Sequence, residues 1–199
     1  MNRQKKRKKN MLSRLEQGQG TTLMGKLFLT KTQREILLKW TVFTLIFLLL
    51  QVLQDVIFSR IHIFGGCVDV VPALLLLVCL LQEPASGLLF VMICSLVRAL
   101  SGVVLGPVSL AVLVFMGAAL CALRKNHLWG EFRAVVLCCW LGLGFHSAVL
   151  FLLGVFLTKT TWSRYLPTLG GLFGSMVAAL ILYPLVRVVG KIGGASWKA

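Results

Sequence analysis

Long stretches without charged residues dominate the pattern of hydrophobic and polar positions along this chain. Residues 134–157 and 166–186 contain no Asp, Glu, Lys or Arg, and residues 40–53 form a similar but shorter stretch. A helix of about 20 apolar residues crosses the roughly 30 Å hydrocarbon core of a bilayer. The pattern therefore predicts membrane-spanning helices rather than the half-polar helices of a soluble domain.

Capping and turn residues divide these stretches into helices. Thr32 and Glu35 have the spacing of a capping box, Pro84 suits the first turn of a helix, and Pro184 predicts a kink in the last helix. The predicted helices cover about 32–58, 68–81, 84–100, 103–123, 134–157 and 169–189. The second and third are short, which leaves open two full spans or a re-entrant hairpin.

The predicted fold class is all-α, a polytopic membrane protein with about six transmembrane helices. The chain is predicted to consist of a basic tail over 1–31, a single six-helix membrane domain over 32–190 and a short tail over 191–199. Only 14% of the residues are charged, against about 25% in soluble domains. No cleavable signal peptide is predicted, because the first apolar stretch is too long and no small-residue cleavage site follows it.

The distribution of basic residues predicts the orientation. On the six-helix arrangement, 17 of the 21 Lys and Arg residues fall on one side, and basic residues are enriched on the cytoplasmic side. Both termini are therefore predicted to be cytoplasmic.

Residues 1–10 carry six of these basic residues. Because each attracts anionic lipid headgroups by about 1 kcal/mol near the surface, lipid is favoured over nucleic acid as a partner, and a solvated tail without a specific partner is an equal alternative.

Ionisable side chains within the predicted spans are candidates for function, because each costs a few kcal/mol at mid-depth. Asp55, Asp69 and Arg98 come out at similar depth, on the side opposite the termini. We expect Arg98 to pair with one or both carboxylates; the alternative is that Arg98 reaches the lipid headgroups alone. His146 lies in the middle of the fifth helix, where a hydrogen bond to a neighbouring helix is favoured over a proton relay.

The sequence contains no pattern typical of catalysis or cofactor binding. It has no glycine-rich phosphate loop, no H-E-x-x-H motif and no carboxylates paired at helical spacing. The six cysteines lack C-x-x-C spacing, so a metal or redox site is not predicted. Five of them lie in apolar stretches as small packing residues, and Cys67 is the candidate for exposure. We therefore expect a protein that is not an enzyme and holds no metal or cofactor.

Small residues recur every four positions in the sixth predicted helix. Gly170, Gly174 and Ala178 form one row, and Gly171, Ser175 and Ala179 lie in the next. Such rows let helix backbones approach closely. Packing within the bundle and contact with a partner protein are both consistent with this pattern.

A set of polar, Gly and Pro residues recurs in a particular order between the first and fourth predicted helices: Gln51, Gly65, Gly66, Asp69, Pro72, Gly87, Ser101, Gly102 and Gly106. This order resembles MreD, the membrane subunit of the bacterial rod-shape elongation machinery. Family members likewise have an Asp- and Pro-bearing second segment, a glycine-containing third segment and an S-G-x-x-x-G-like turn. Arg98 stands where they commonly carry an acidic residue, so the role of that residue is not transferred to Arg98.

The resemblance implies a non-enzymatic scaffold in the bacterial cytoplasmic membrane. The family works with an MreC-like membrane protein, an actin-like filament protein and cell-wall synthases. A competing interpretation is the substrate-binding membrane subunit of a vitamin transporter, which is also a six-helix protein of about this length. Such subunits usually carry small residues on the first helix, whereas residues 40–58 contain no Ala or Gly. An enzyme or flippase acting on lipids or wall precursors ranks last.

Overall fold

The computed structural model describes residues 31–102, 105–127, 132–158 and 165–192. Within these residues the fold is all-α, which confirms the predicted class. The helices are α1 (Lys31–Val56), α2 (Val70–Leu81), α3 (Pro84–Leu100), α4 (Gly106–His127), α5 (Phe132–Thr158) and α6 (Tyr165–Gly190). Most of both predicted tails lies outside the described residues.

The described residues fall into two units: residues 31–38 belong to the first, and the described residues from 39 onward belong to the second. Residues 31–38 of the first unit form the first two turns of α1. The second unit contains the rest of α1 and the other five helices described above.

Four of the helices are long and apolar enough to cross a membrane. These spans are Gln33–Arg60, Gly106–Leu123, Phe132–Leu157 and Tyr165–Gly190. Their surfaces carry large exposed apolar side chains, such as Leu141 and Ile181, which are 71% and 70% exposed. Lipid is the solvent that accepts such a surface, so the chain is a multi-pass membrane protein.

The two remaining helices are shorter, and α2 forms the centre of the bundle. At a rise of about 1.5 Å per residue, the 12 residues of α2 and the 17 of α3 do not reach the length of the four spans. Residues 70–80 of α2 are all buried, and α2 packs against α3, α4, α5 and α6. A helix that is apolar on every face is stable only when it is surrounded, and here protein rather than lipid surrounds it.

A β hairpin follows α1. After a 3₁₀ turn over Phe58–Arg60, the strands β1 (His62–Ile63) and β2 (Gly66–Cys67) pair antiparallel, with His62 opposite Cys67. The two loop residues, Phe64 and Gly65, have φ angles of 51° and 83°, as a type I′ turn requires. The sequence predicted only a short loop here, because two-residue strands carry no detectable alternation.

The hairpin lies at one end of the bundle, which we call the hairpin end. The end of α1 and the start of α2 meet there through hydrogen bonds of Gln54, and the end of α3 reaches the start of α2 through Arg98. The start of α6 lies against the hairpin, where Pro167 faces Gly66. Residues far apart in sequence therefore converge at this end.

The bounds of α4 differ from the prediction at both ends. The helix begins at Gly106 rather than near residue 103, because Gly102 and Leu105 have φ angles of 81° and 59°, which no right-handed helix contains. It continues to His127, through residues predicted to form a polar loop. Lys and Arg are good helix formers and are favoured near a helix C-terminus, so this polar stretch extends the helix. The helix α6 runs through Pro184 to Gly190, in agreement with the predicted end near residue 189.

Candidate functional site at the hairpin end

An ion pair joins α2 and α3 at the hairpin end. The Nη2 atom of Arg98 donates to Oδ2 of Asp69 at 2.5 Å. Arg98 lies in the last turn of α3 and is only 7% exposed, although lipid headgroups would attract an unpaired arginine. The structure thus brings together two of the three charges singled out from the sequence. The third, Asp55, is exposed and accepts a 3.4 Å hydrogen bond from Gln51 within α1.

The pair leaves several polar atoms unused. Oδ1 of Asp69 and the Nε and Nη1 atoms of Arg98 are buried and have no hydrogen-bond partner among the described residues. A buried polar atom without a partner costs about 1–3 kcal/mol. Each charge therefore depends on the single bond to the other.

Gln54 of α1 holds the backbone on both sides of Asp69. Its Nε2 donates to the carbonyl oxygen of Val68 at 2.6 Å, and its Oε1 accepts from the amide of Val70 at 3.0 Å. Asp69 occupies the N-cap position of α2 but makes no side-chain capping bond, because its carboxylate faces Arg98. Gln54 supplies the cap instead. Sequence reasoning missed this residue, although an amide side chain within an apolar helix is itself a signal of a buried partner.

Ser175 of α6 connects the same loop to a fourth helix. The amide of Asp69 donates to Oγ of Ser175 at 3.1 Å, and that hydroxyl donates to the carbonyl oxygen of Gly171 at 2.9 Å. Both atoms of the hydroxyl are therefore engaged. Side chains from α1, α3 and α6 thus hold the residues that begin α2.

Replacing Gln54 by leucine is expected to lower the free energy of unfolding by about 2 kcal/mol, since two hydrogen bonds are lost and the α2 amide loses its cap. Gln51 is the matched control on the same helix. Its Oε1 has no partner in the described part of the chain, and its other bond is 3.4 Å long. Denaturation of the purified protein in detergent measures both variants. A Gln51→Leu variant that is destabilised as much as Gln54→Leu would contradict this assignment.

The glycine row of α6 packs within the bundle. A Cβ atom on Gly170 would collide with the carbonyl oxygen of Ile63 in β1, and one on Gly174 would collide with the side chain of Val68. Ala178, further along the row, is half-buried against the core. The hairpin and the start of α2 therefore occupy the face that the sequence left open for a partner at Gly170 and Gly174.

The remaining residues of the resemblance shape the connections between helices. Pro72 is buried in the first turn of α2, where its missing amide proton costs nothing. Ser101 and Gly102 end α3, with Gly102 in a left-handed conformation. A Cβ on Gly106 would lie 3.0 Å from the backbone of Ala99, so a small residue lets α4 begin against the end of α3.

His146 joins α5 to α4. Its Nε2 lies 3.1 Å from Oγ of Ser109, and its side chain is buried, with 3% of the residue exposed. The structure therefore places this histidine in an interhelical hydrogen bond, as expected from the sequence. Ser109 was not singled out there, because a serine in an apolar helix shows no sign of which helix it faces.

A cavity of about 600 Å³ lies between the hairpin, the start of α2, α5 and α6. Its polar lining comprises Cys67, Asp69, His146, Ser147, Thr168 and Ser175. Apolar residues such as Pro72, Leu143 and Phe151 form much of the remainder. The volume and the mixed lining are typical of a site for a small organic molecule.

Among the described residues, no three His, Cys, Asp or Glu side chains are grouped as metal ligands would be. Cys67 is exposed, and the other five cysteines are buried.

Searches against protein-family models, curated proteins and solved structures find no match to this chain.

Proposed function

We propose that this chain is a non-enzymatic membrane scaffold of the bacterial cell-shape and elongation complex, which couples cytoplasmic filaments to peptidoglycan synthesis. One observation carries the proposal: the residues of the MreD resemblance are used for architecture. Asp69 braces α2 against α3, Gly102 turns the chain after α3, and Gly106 allows close packing against Ala99. Polar groups committed to joints between helices suit a rigid platform better than a catalytic centre.

The partners in this proposal are an MreC-like membrane protein, an actin-like filament protein and cell-wall synthases. The cytoplasmic membrane of a bacterium is the proposed location, with both termini in the cytoplasm and the hairpin end outside. A formal net charge of +15 supports contact of the basic N-terminal tail with anionic headgroups on the inner leaflet. The short hairpin leaves room at the outer surface for a larger partner.

Depletion of the protein in its own bacterium is expected to convert rod-shaped cells to rounded ones and to disperse the pattern of new wall synthesis. A wild-type copy should restore both the cell shape and the wall pattern. A copy carrying Gly144→Ala should restore them as well, because a Cβ at Gly144 meets no neighbouring side chain or helix within 4 Å. Mild-detergent extracts should also yield an MreC-like protein with a tagged chain. Unchanged cell shape and wall pattern after depletion would exclude the scaffold.

The cavity favours a second candidate, the substrate-binding membrane subunit of a vitamin transporter. Its volume of about 600 Å³ suits a vitamin-sized molecule, and a scaffold does not require it. Titration of the purified protein with water-soluble vitamins tests this candidate. Absence of binding at micromolar concentration dismisses it without affecting the scaffold proposal.

A further inference from the structure

A cysteine and a histidine face each other across the hairpin. His62 and Cys67 are directly opposite in the register of β1 and β2, and both side chains are exposed. The Sγ atom of Cys67 lies 3.6 Å from Nε2 of His62 and 3.6 Å from the carbonyl oxygen of Ser59. Both residues follow the end of the first apolar span at Arg60.

The other ring nitrogen of His62 determines the tautomer. Nδ1 lies 3.0 Å from the carbonyl oxygen of Arg60, and a carbonyl oxygen only accepts hydrogen bonds. Nδ1 therefore carries the proton, and Nε2 of the neutral ring presents a lone pair to the thiol of Cys67. A nucleophile beside a base that a third group orients is the arrangement used for covalent chemistry.

We propose that Cys67 and His62 form a thiol–disulfide exchange site that accepts low-molecular-weight disulfides. Nε2 of His62 takes the thiol proton, and the Cys67 thiolate attacks one sulfur of the disulfide. The new S–S bond forms as the old one breaks, and the leaving thiolate takes the proton back from His62. One thiol and one disulfide thus give a mixed disulfide and a new thiol, so that no further oxidant is required.

The surroundings of Cys67 permit this reaction. Cys67 lines the cavity of about 600 Å³ next to Gly65 and Gly66, where the body of a small disulfide has space. The five other cysteines are buried, so the surrounding protein restricts the access of a small disulfide to them. In the proposed topology the hairpin faces the outside of the cell, where disulfides persist. The exchange site itself goes beyond the scaffold proposal and does not depend on it.

The test uses the full-length protein in detergent and 4,4′-dithiodipyridine, a neutral disulfide that releases a coloured thiol. We expect one thiol per chain to react rapidly at pH 7, and Cys67→Ser should abolish this rapid reaction. His62→Asn retains an N–H that can bond the Arg60 carbonyl but removes the base. It should slow the reaction of Cys67 by at least about tenfold, which is less than the roughly 10²–10⁴-fold typical of a general base, because a thiol reacts partly without help.

Chemical rescue separates a base from a structural role. Added imidazole should accelerate the reaction of His62→Ala more than that of the wild-type protein, because a free imidazole can then take the thiol proton. Equal rates for the wild-type and His62→Asn proteins overturn the proposal. A slow His62→Ala variant that imidazole does not accelerate overturns it as well, since it assigns His62 to support of the hairpin alone.

Discussion

Replacing Arg98 by leucine is expected to destabilise the protein by about 3 kcal/mol. Removing one member of a buried ion pair leaves the other charge uncompensated, which costs about 3–5 kcal/mol. The lower end applies because the Asp69 side chain is 36% exposed and keeps part of its solvation. Asp69→Leu should cost at least as much, since it strands a guanidinium whose Nε and Nη1 already have no partner in the described residues.

Circular dichroism of the protein in detergent, recorded against denaturant concentration, measures the free energy of unfolding of both variants. Asp55→Asn is the control, since Asp55 is exposed and makes only a 3.4 Å contact with Gln51; it should leave stability unchanged. The decisive variant exchanges the charges, with Asp69→Arg and Arg98→Asp combined. If the double variant is no more stable than Asp69→Arg alone or Arg98→Asp alone, the two residues are not coupled.

A single methyl group at Gly170 is expected to destabilise the hairpin end by about 3 kcal/mol. A Cβ there would overlap the carbonyl oxygen of Ile63, and backbone cannot move aside as a flexible side chain can. Overpacking of this kind costs about 1–3 kcal/mol, occasionally more. The upper end is expected because a Cβ on Gly66 of the same hairpin would likewise overlap the carbonyl oxygen of Pro167, so the hairpin has no space to shift. The displaced hairpin should also expose the loop that begins α2.

Gly144→Ala in α5 is the matched substitution, because nothing lies within 4 Å of its Cβ position. It should be neutral or stabilise the protein by up to about 1 kcal/mol, the difference in helix propensity between Gly and Ala. Melting temperatures in the same detergent compare the two variants. Equal melting temperatures would show that the hairpin does not pack on α6 as described.

Much of the helical architecture could be predicted because each helix carries a local signal. The bounds of α3 agree with the prediction at Pro84 and Leu100, since a proline starts it and a Ser-Gly turn ends it. The α4 start was wrong, because the left-handed conformation of Leu105 is unusual for a leucine. The hairpin was missed because two-residue strands are too short to show a period of two.

The candidate site was only partly predictable. A charged residue in an apolar stretch is conspicuous, so Arg98 and Asp69 were recognised as candidates for an ion pair. Depth in the membrane was the only other criterion, and by that criterion Asp55 was as good a partner for Arg98 as Asp69. Gln54 and Ser109 were missed, and Ser175 was singled out only for its small size, because a polar side chain shows its hydrogen-bond partner only when the opposite helix is known. The exposure of Cys67 was expected from its position outside the apolar stretches, but its histidine partner depends on the strand register.

By itself, the sequence determined that lipid surrounds this protein and where its chain is divided into helices. Long apolar stretches without charge have lower free energy in lipid than in water, and that preference is a sum over neighbouring residues that needs no tertiary contact. The tertiary structure alone decided that α2 is the buried centre and that the hairpin covers the glycine row of α6. The residues 70–81 are apolar on every face, so no periodicity indicates which side is covered. Contacts between residues separated by many positions depend on how the completed helices pack.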